Sequence, residues 1–288
     1  MRAYTLRWQH HEIVLGPRTA IMGIVNVTPD SFSDGGQFHS ADAAIRQGLR
    51  LVASGADILD IGGESTRPFA DPVSAEEELR RVLPVIEALA ERVSVPISID
   101  TTKASVAAAA LAAGASIIND ISALRMDNAI TTVAAQARVP VIVMHMQGTP
   151  GNMQLKPAYD DLVEEVHGFL ADTIAHAVSR GIPRNLLIVD PGIGFGKTGH
   201  HNLLLLKHLD AFDDLGVPLL VGTSRKRFIR DIVKPPEAED VAPDLPEVET
   251  GTQASMAAAI MKGAHIVRVH NVANTRAMVD VLDAIRCA

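Results

Sequence analysis

The stretch PISIDTTKASVAAAALAAGASIIND, residues 96–120, contains one complete copy of the pattern that decides the fold. Short β-branched runs at its two ends, 96–100 and 116–120, enclose an alanine-rich segment whose composition suits a buried helix. Because both runs are largely apolar rather than alternating, they are typical of parallel strands that are covered on both faces. The stretch therefore predicts a strand, a helix and a second strand parallel to the first.

The same unit recurs along the chain, with amphipathic helix patterns such as SAEEELRRVLPVIEALAERV (74–93) between the apolar runs. Eight runs are strand candidates: AIMGIVNV (20–27), DILDIG (57–62), PISID (96–100), SIIND (116–120), PVIVMH (140–145), LLIVD (186–190), PLLVGT (218–223) and HIVRVH (265–270). Eight such units in 288 residues favour an α/β fold of the (β/α)8 TIM-barrel type over an open doubly wound sheet.

The organisation predicted from these units is a single domain over residues 1–288. The segment YTLRWQHHEIVLG (4–16) alternates like a β-hairpin, so we expect a hairpin over residues 1–18 at the amino-terminal end of a barrel over 19–288. No linker or low-complexity stretch divides the chain.

Composition limits the kinds of partner and compartment that we expect. The formal net charge of -8 argues against nucleic acid or an anionic membrane as the main partner. The single cysteine, Cys287, excludes a disulfide framework and a cysteine metal site. Residues 1–12 contain no apolar run of signal-peptide length, and we expect a cytoplasmic protein without a membrane span.

Polar residues collect at the carboxyl ends of the strand candidates, which in a barrel form the face that carries the active site. Any one of them could be a helix cap or turn residue, but a polar group at every end predicts a functional site. They are Asn26, Asp60 with Glu64, Asp100, Asn119 with Asp120, His145, Asp190, Ser224 to Lys226, and Arg268 with His270.

The glycine-rich stretch DPGIGFGKTG (190–199) looks like a nucleotide-binding loop. Pro191 occupies the position where a Walker A loop requires glycine, and the following strand lacks the acidic residue of a dinucleotide fold. We therefore take Asp190 as the functional residue here. The basic run TSRKRF (223–228) is either a solvated helix start or an anion site. For Met144 and His145, a core position is the favoured interpretation.

Taken in order, eight motifs resemble the dihydropteroate synthase family from about residue 20 to the end of the chain. They are NVTPDSFSDGG, DIGGESTRP, SIDTTK, IIND, MHMQGTP, DPGIGFGKT, GTSRKRFI and IVRVHNV. The resemblance implies a TIM barrel that joins 6-hydroxymethyl-7,8-dihydropterin diphosphate to 4-aminobenzoate, giving 7,8-dihydropteroate and pyrophosphate in folate biosynthesis. It also implies that sulfonamides compete with 4-aminobenzoate, and that the protein is a homodimer formed through outer helices.

The resemblance implies a role for individual residues. A pterin edge presents adjacent N–H donors that suit a carboxylate, and an amide side chain can serve donors and acceptors alike. The implied pterin-binding residues are Asp100, Asn119, Asp190, Lys226 and Met144. Thr66, Arg268 and His270 would bind the diphosphate, and Asn26 would be a ligand of Mg²⁺. Phe32, Arg67, Pro68, Phe195 and Ser224, together with Lys226, would line the aminobenzoate site.

The family mechanism involves a pterin-stabilised methylene cation, which the aminobenzoate amine captures after diphosphate has left. Asp100, Lys226, Asn26 and Arg67 are the implied catalytic residues, with Asp100 stabilising the cation. Because water would also trap the cation, the 27–36 and ESTRP (64–68) loops are expected to close over the substrates.

Two departures from the family pattern and two competing interpretations remain. Phe69 follows STRP where glycine is usual, and Asn271 follows RVH where aspartate is common. A methyltetrahydrofolate-dependent methyltransferase also binds pterin at strand ends, but it has no need of the SRK and RVH cations. A catalytically silent paralogue is the other alternative.

Overall fold

The structure of the chain is a computed structural model that describes residues 1–28, 37–66 and 70–288. Within these ranges the strands are Tyr4–Trp8 (β1), His11–Leu15 (β2), Ala20–Asn26 (β3), Ile58–Gly62 (β4), Ile97–Asp100 (β5), Ile117–Asp120 (β6), Val141–Met144 (β7), Leu187–Asp190 (β8), Leu220–Val221 (β9) and Ile266–Val269 (β10). The helices are Gln37–Ala53 (α1), Ala75–Ala90 (α2), Ala104–Ala112 (α3), Ala129–Ala137 (α4), Leu162–Ser179 (α5), Gly199–Lys207 (α6), Arg227–Val233 (α7), Pro246–Met261 (α8) and Val272–Cys287 (α9).

Strands β3 to β10 form the predicted barrel, in the order β8-β7-β6-β5-β4-β3-β10-β9, with every pair parallel. The ring closes between β8 and the segment before β9, where Val189 forms a parallel bridge with Leu219 and its N–H donates to the Pro218 carbonyl over 3.0 Å. All eight strand predictions and the (β/α)8 fold class are confirmed.

The segment 96–120 folds as its pattern predicts, into β5, α3 and β6. The two strands pair in register, with Asp100 opposite Asn119. Gly114 returns the chain from α3 towards β6 with φ +113°, and a Cβ there would lie 2.5 Å from the Cβ of Ala90. Only glycine meets both the positive φ and this close approach, so the helix ends where the strand must begin.

The helices cover the barrel with apolar faces that match their sequence periodicity. In α2, the Ser74 side chain caps the amino end by accepting from the Glu77 N–H over 3.2 Å. Val82, Ile86 and Leu89 then lie on one face and are fully buried. Burial of each such side chain contributes about 1.5 to 3 kcal/mol. This outer layer holds the strands, and therefore their carboxyl ends, in fixed positions.

The predicted hairpin is present as the antiparallel pair β1 and β2. Leu6, Trp8 and Leu15 are buried. The Tyr4 ring packs edge-on against His265 at 5.0 Å, and the His265 ring hydrogen-bonds the Arg2 carbonyl through Nε2 over 3.0 Å. Because His265 directly precedes β10, the hairpin lies at the amino ends of the strands, away from the predicted active-site face.

Among the helices that the structure describes, none combines the length and the apolar character required to cross a membrane.

Candidate functional site

Strand pairing brings the predicted residues together at the carboxyl face of the barrel. Asn26 is in register with Gly62, Gly62 with Asp100, and Asp100 with Asn119. On the other side, Met144 pairs with Asp190. Neighbouring parallel strands therefore place these side chains around one opening, as their positions at strand ends predict.

One half of the site is a network of two carboxylates, an amide and a guanidinium. Arg268 donates from Nε to Asp60 Oδ2 over 2.6 Å and from Nη2 to Asp100 Oδ2 over 2.9 Å. Asn119 Nδ2 donates to the same Asp60 oxygen over 3.1 Å. Arg268, assigned to the diphosphate from the resemblance, thus contacts a residue assigned to the pterin. Its guanidinium has five N–H donors, of which these bonds use two.

The network perturbs the proton affinity of Asp100. Burial raises the pKa of this carboxyl to about 7, and the negative charge of Asp60 adds to the effect. The Arg268 guanidinium opposes the rise, while Glu78 and Asp120 add to it. A buried carboxyl whose pKa is shifted by burial and by specific charged neighbours is typical of a functional site.

Asp190 and Lys226 form the opposite half of the site. Asp190 Oδ1 accepts from the Gly192 N–H over 2.7 Å, and burial raises the pKa of this carboxyl against the influence of Lys226. Lys226 donates from Nζ to the Ile193 carbonyl, and burial lowers its pKa to about 8. Asp190 opposes that shift and Arg268 adds to it. The pocket thus has a carboxylate and a cation on each side.

The stretch 191–198 between β8 and α6 lies close against the end of β7. Gly192 has φ +69°, and a Cβ there would lie 1.9 Å from the His145 carbonyl oxygen. Four successive carbonyls of this loop each accept a hydrogen bond from one side chain. The pairs are Ile193 with Lys226, Gly194 with Gln154 Nε2 (2.9 Å), Phe195 with Lys197 Nζ (3.0 Å) and Gly196 with the Tyr159 hydroxyl (2.7 Å). The loop is therefore held through its carbonyls by side-chain donors.

An apolar wall adjoins the polar groups. Met144 is buried at the end of β7 and packs with Ile121, Met146 and Met153. Phe195 is half-buried against this cluster, and Lys226 Nζ lies 4.5 Å from the centre of its ring. Met144 therefore has the core position favoured from the sequence, and its pairing with Asp190 places it beside the polar groups.

Ser224 and His270 meet at the ends of β9 and β10. The Ser224 hydroxyl oxygen lies 3.0 Å from the ring nitrogen Nδ1 of His270, and the His270 backbone N–H donates to the same oxygen over 3.3 Å. Asn271, the departure noted after RVH, caps α9 by accepting from the Asn274 N–H over 3.2 Å. Because an asparagine oxygen caps a helix as well as an aspartate oxygen does, this departure keeps the local structure.

Other predicted residues lie at the edge of the described part or outside it. Asn26 ends β3 and Thr66 follows β4, and both are half-buried. Phe32, Arg67 and Pro68, together with Phe69 and residues 29–36 of the predicted closing loop, lie outside the described residues.

The magnesium prediction depends on Asn26. In the described ranges no group of three or more His, Cys, Asp or Glu side chains could hold a metal ion. Gly62 lies in register between Asn26 and Asp100, and because it is a glycine no side chain separates those two residues. An amide oxygen completed by phosphate oxygens and water is a normal Mg²⁺ environment, so the donor set fits an ion that arrives with a diphosphate.

Sequence reasoning missed the roles of several charged residues. Asp60 was noted at a strand end, but its contacts with Arg268 and Asn119 depend on packing. Glu64 accepts from Lys103 Nζ over 2.6 Å and from the Val73 N–H over 2.9 Å, and Lys103 also bonds the fully buried Glu78 over 2.6 Å. Glu64 thereby joins the two ends of the segment that follows β4. Its strand-end position was the only signal in the sequence.

Comparison with known proteins gives one consistent result. The family model described as "Pterin binding enzyme" matches residues 22–270. A dihydropteroate synthase of Synechocystis sp. is 47% identical over 270 residues, covering 94% of this chain and 91% of the relative.

Solved structures agree with this match. Xanthomonas albilineans dihydropteroate synthase with 4-aminobenzoic acid has a TM-score of 0.90 at 46% identity and covers 100% of both chains. The same species' enzyme in complex with 7,8-dihydropteroate gives 0.84 at 45%, covering 96% of this chain and 97% of that one. The Yersinia pestis enzyme with a sulfonamide drug complex gives 0.88 at 43%, covering 99% and 100%.

Proposed function

The chain belongs to the dihydropteroate synthase family of pterin-binding enzymes, and we propose that it joins 6-hydroxymethyl-7,8-dihydropterin diphosphate to 4-aminobenzoate. The products are 7,8-dihydropteroate and pyrophosphate. Relatives of this chain have been solved with 4-aminobenzoic acid and with 7,8-dihydropteroate, which are the second substrate and the product of this reaction.

The observation that carries the proposal is the buried network of Asp60, Asp100, Asn119 and Arg268. It offers carboxylate and amide groups to the hydrogen-bonding edge of a pterin, beside a cation that suits a departing phosphate. Asp190 and Lys226 supply a second acceptor and a second donor across the opening. Burying a charged side chain costs free energy. The presence of several at this site therefore favours a polar, charged ligand over an apolar one.

The chain's own residues divide the chemistry between opposite charges. When the bond to diphosphate breaks, positive charge grows on the pterin methylene group, and the Asp100 carboxylate stabilises it. Negative charge grows on the leaving diphosphate, and Arg268, His270 and Thr66 stabilise that. When bound, Mg²⁺ neutralises part of the diphosphate charge, and Asn26 would contribute one ligand oxygen.

Asp190, Asn119 and Lys226 hold the pterin ring through hydrogen bonds, while Met144 packs against it. The bound ring then presents its methylene group to the incoming amine, so positioning lowers the entropic cost of the reaction. Lys226 has a second role at the boundary with the aminobenzoate site, where its ammonium group faces the Phe195 ring.

The second substrate would occupy the rim of the barrel. Phe195 and Ser224 supply an aromatic surface and a hydroxyl there, and Phe32, Arg67 and Pro68 complete the site in this proposal. A sulfonamide has the same aryl-amine shape as 4-aminobenzoate, and it should compete with that substrate alone. Inhibition that is competitive with the pterin diphosphate instead would contradict this arrangement.

We expect the enzyme to act as a homodimer in the cytoplasm. Exposed apolar side chains on α7, α8 and α9, including Ile232, Met261, Val281 and Ile285, would suit an interface through outer helices. Sedimentation at several protein concentrations would test the dimer.

The decisive assay supplies both substrates and Mg²⁺ to the purified, folded protein and measures pyrophosphate and dihydropteroate together. Equal amounts of the two products are expected. A folded preparation that binds pterin diphosphate and releases no pyrophosphate would instead indicate a silent pterin-binding paralogue. Methyl transfer from methyltetrahydrofolate would indicate a methyltransferase. That function is disfavoured because its reaction has no leaving diphosphate for Arg268 and His270 to bind.

A further inference from the structure

Lys197 is a buried lysine with an unusual set of partners. Its side chain lies beneath the loop between β8 and α6, and the residue is only 2% exposed. In the described part of the chain it forms no ion pair within salt-bridge distance. Nζ instead donates to the Phe195 carbonyl over 3.0 Å and lies 2.9 Å from His145 Nδ1.

This arrangement is costly for the fold. Burial lowers the pKa of Lys197 to about 7, although the nearby Asp190 carboxylate opposes the shift. An apolar side chain of similar length would fill the same space without the cost of removing an amine from water. Packing alone therefore does not explain a lysine at this position, whereas its two hydrogen bonds require a side-chain N–H donor.

On one side, Lys197 is fixed by a rigid histidine. The His145 backbone N–H donates to the Asp190 carbonyl over 3.0 Å, and the His145 ring packs edge-on against Phe169 at 4.8 Å. Burial, together with the charges of Lys197 and Arg125, lowers the pKa of His145 to about 3. The imidazole is therefore neutral, and its Nδ1 accepts the hydrogen bond from the lysine.

On the other side, Lys197 holds the peptide group of Phe195. This peptide lies between two glycines with positive φ, Gly194 at +84° and Gly196 at +59°. The carbonyls of both glycines have side-chain donors of their own, and Lys197 supplies the hydrogen bond to the Phe195 carbonyl. The Phe195 ring extends from this point to the rim, within 4.5 Å of Lys226 Nζ. A shift of the peptide would move the ring relative to the catalytic lysine.

We propose that Lys197 is a positioning residue of the aminobenzoate subsite, which fixes the Phe195 ring by hydrogen-bonding its carbonyl to a support formed by His145. It does not touch the substrate. Its effect reaches the aryl amine through the aromatic surface that Phe195 presents. The inference rests on the proposed function, and specifically on the placement of 4-aminobenzoate beside Phe195.

The first test is Lys197→Met, which keeps an unbranched side chain and removes the hydrogen-bond donors. We expect the KM for 4-aminobenzoate to rise about tenfold or more, because misplacing a positioning group costs catalysis on this scale. The KM for the pterin diphosphate should change much less, since Asp190 keeps its hydrogen bond from the Gly192 N–H and Lys226 keeps its bond to the Ile193 carbonyl. Lys207→Met, at the exposed end of α6, is the matched control and should leave both constants unchanged.

Two further variants separate positioning from a general structural role. Lys197→Gln keeps an N–H donor and should partly restore the aminobenzoate KM, and it carries the test if Lys197→Met does not fold. In a Phe195→Leu background, Lys197→Met should raise the KM for 4-aminobenzoate little further, because the aromatic ring that Lys197 positions is already absent. Circular dichroism and thermal melting establish that each variant is folded.

Three outcomes would overturn the inference: an unchanged aminobenzoate KM, equal rises in both KM values, or full additivity with Phe195→Leu. A wild-type protein that makes no dihydropteroate overturns the proposed function and this inference together. An active wild type with a kinetically normal, folded Lys197→Met variant overturns the inference alone.

Discussion

The replacement Asp100→Asn separates charge stabilisation from substrate binding. Asparagine keeps the shape of the side chain and an oxygen that can still accept from Arg268, but it removes the negative charge. Arg268 also keeps its bond to Asp60, so the network retains a carboxylate and the fold should remain intact. The variant therefore tests the proposed interaction with the methylene cation without removing the pocket.

The expected magnitude follows from the burial of Asp100. Its side chain is 12% exposed, which places the interaction in a medium of effective dielectric constant about 20 rather than 80. A unit positive charge about 4 Å from the carboxylate would then be stabilised by about 4 kcal/mol. Because each 1.36 kcal/mol is tenfold in rate, kcat should fall by about 10²- to 10³-fold once the protonated fraction is allowed for.

The assay compares turnover with binding. Steady-state formation of dihydropteroate gives kcat, and calorimetric titration of pterin diphosphate without aminobenzoate gives Kd, which should weaken by less than about tenfold. Asp210→Asn removes a carboxylate whose side chain is 59% exposed and pairs with Lys262, and it should change neither value. Equal losses in kcat and Kd would refute the charge argument, and so would an unchanged kcat.

Three further results are expected. The pH profile of kcat/KM should be bell-shaped: raising the pH through about 7 ionises Asp100, which is required, and raising it through about 8 neutralises Lys226. Asp100→Asn should then lack the acidic limb, and a retained limb would assign it to another group. Arg268→Ala should lower the free energy of unfolding by about 3 to 5 kcal/mol above neutral pH. Urea denaturation should show a smaller loss near pH 5, where the raised pKa of Asp100 lets it take up a proton, and an equal loss at both pH values would contradict this. Gly192→Ala should lower the unfolding free energy by about 3 kcal/mol or more, because its Cβ would meet a carbonyl oxygen at 1.9 Å. Gly168→Ala, in α5 with nothing within 4 Å, should instead raise it by up to about 1 kcal/mol, as thermal melting of both variants would show.

Several parts of the site could be predicted because they depend on local sequence. Asp100 and Asn119 each end a β-branched run, and parallel strands align their carboxyl ends whatever the side chains do. Asp190 could be predicted in the same way, because it ends a strand and a glycine-rich stretch follows it. The family resemblance added roles to these positions.

Other parts could not be read from the chain because they depend on which side chains meet. Arg268 lies 208 residues from Asp60 and 168 from Asp100, and its charge gave no indication that it joins them. Its sequence position equally suited a diphosphate contact. The sequence analysis assigned no role to Lys197, because nothing in FGKT indicates that the lysine is buried.

By itself, the sequence determined the eight strands, their parallel arrangement, the hairpin and the end of the barrel where polar groups collect. The barrel strands follow from short continuous apolar runs, the hairpin from alternation of period 2, and the helices from patterns of period 3.6. All of these patterns act over a few neighbouring positions. Only the tertiary structure decided that Asp60 and Asp100 share one arginine and that Lys197 supports Phe195. Both depend on closure of the barrel and on burial, which bring distant charges within hydrogen-bonding distance and remove the water that would otherwise separate them.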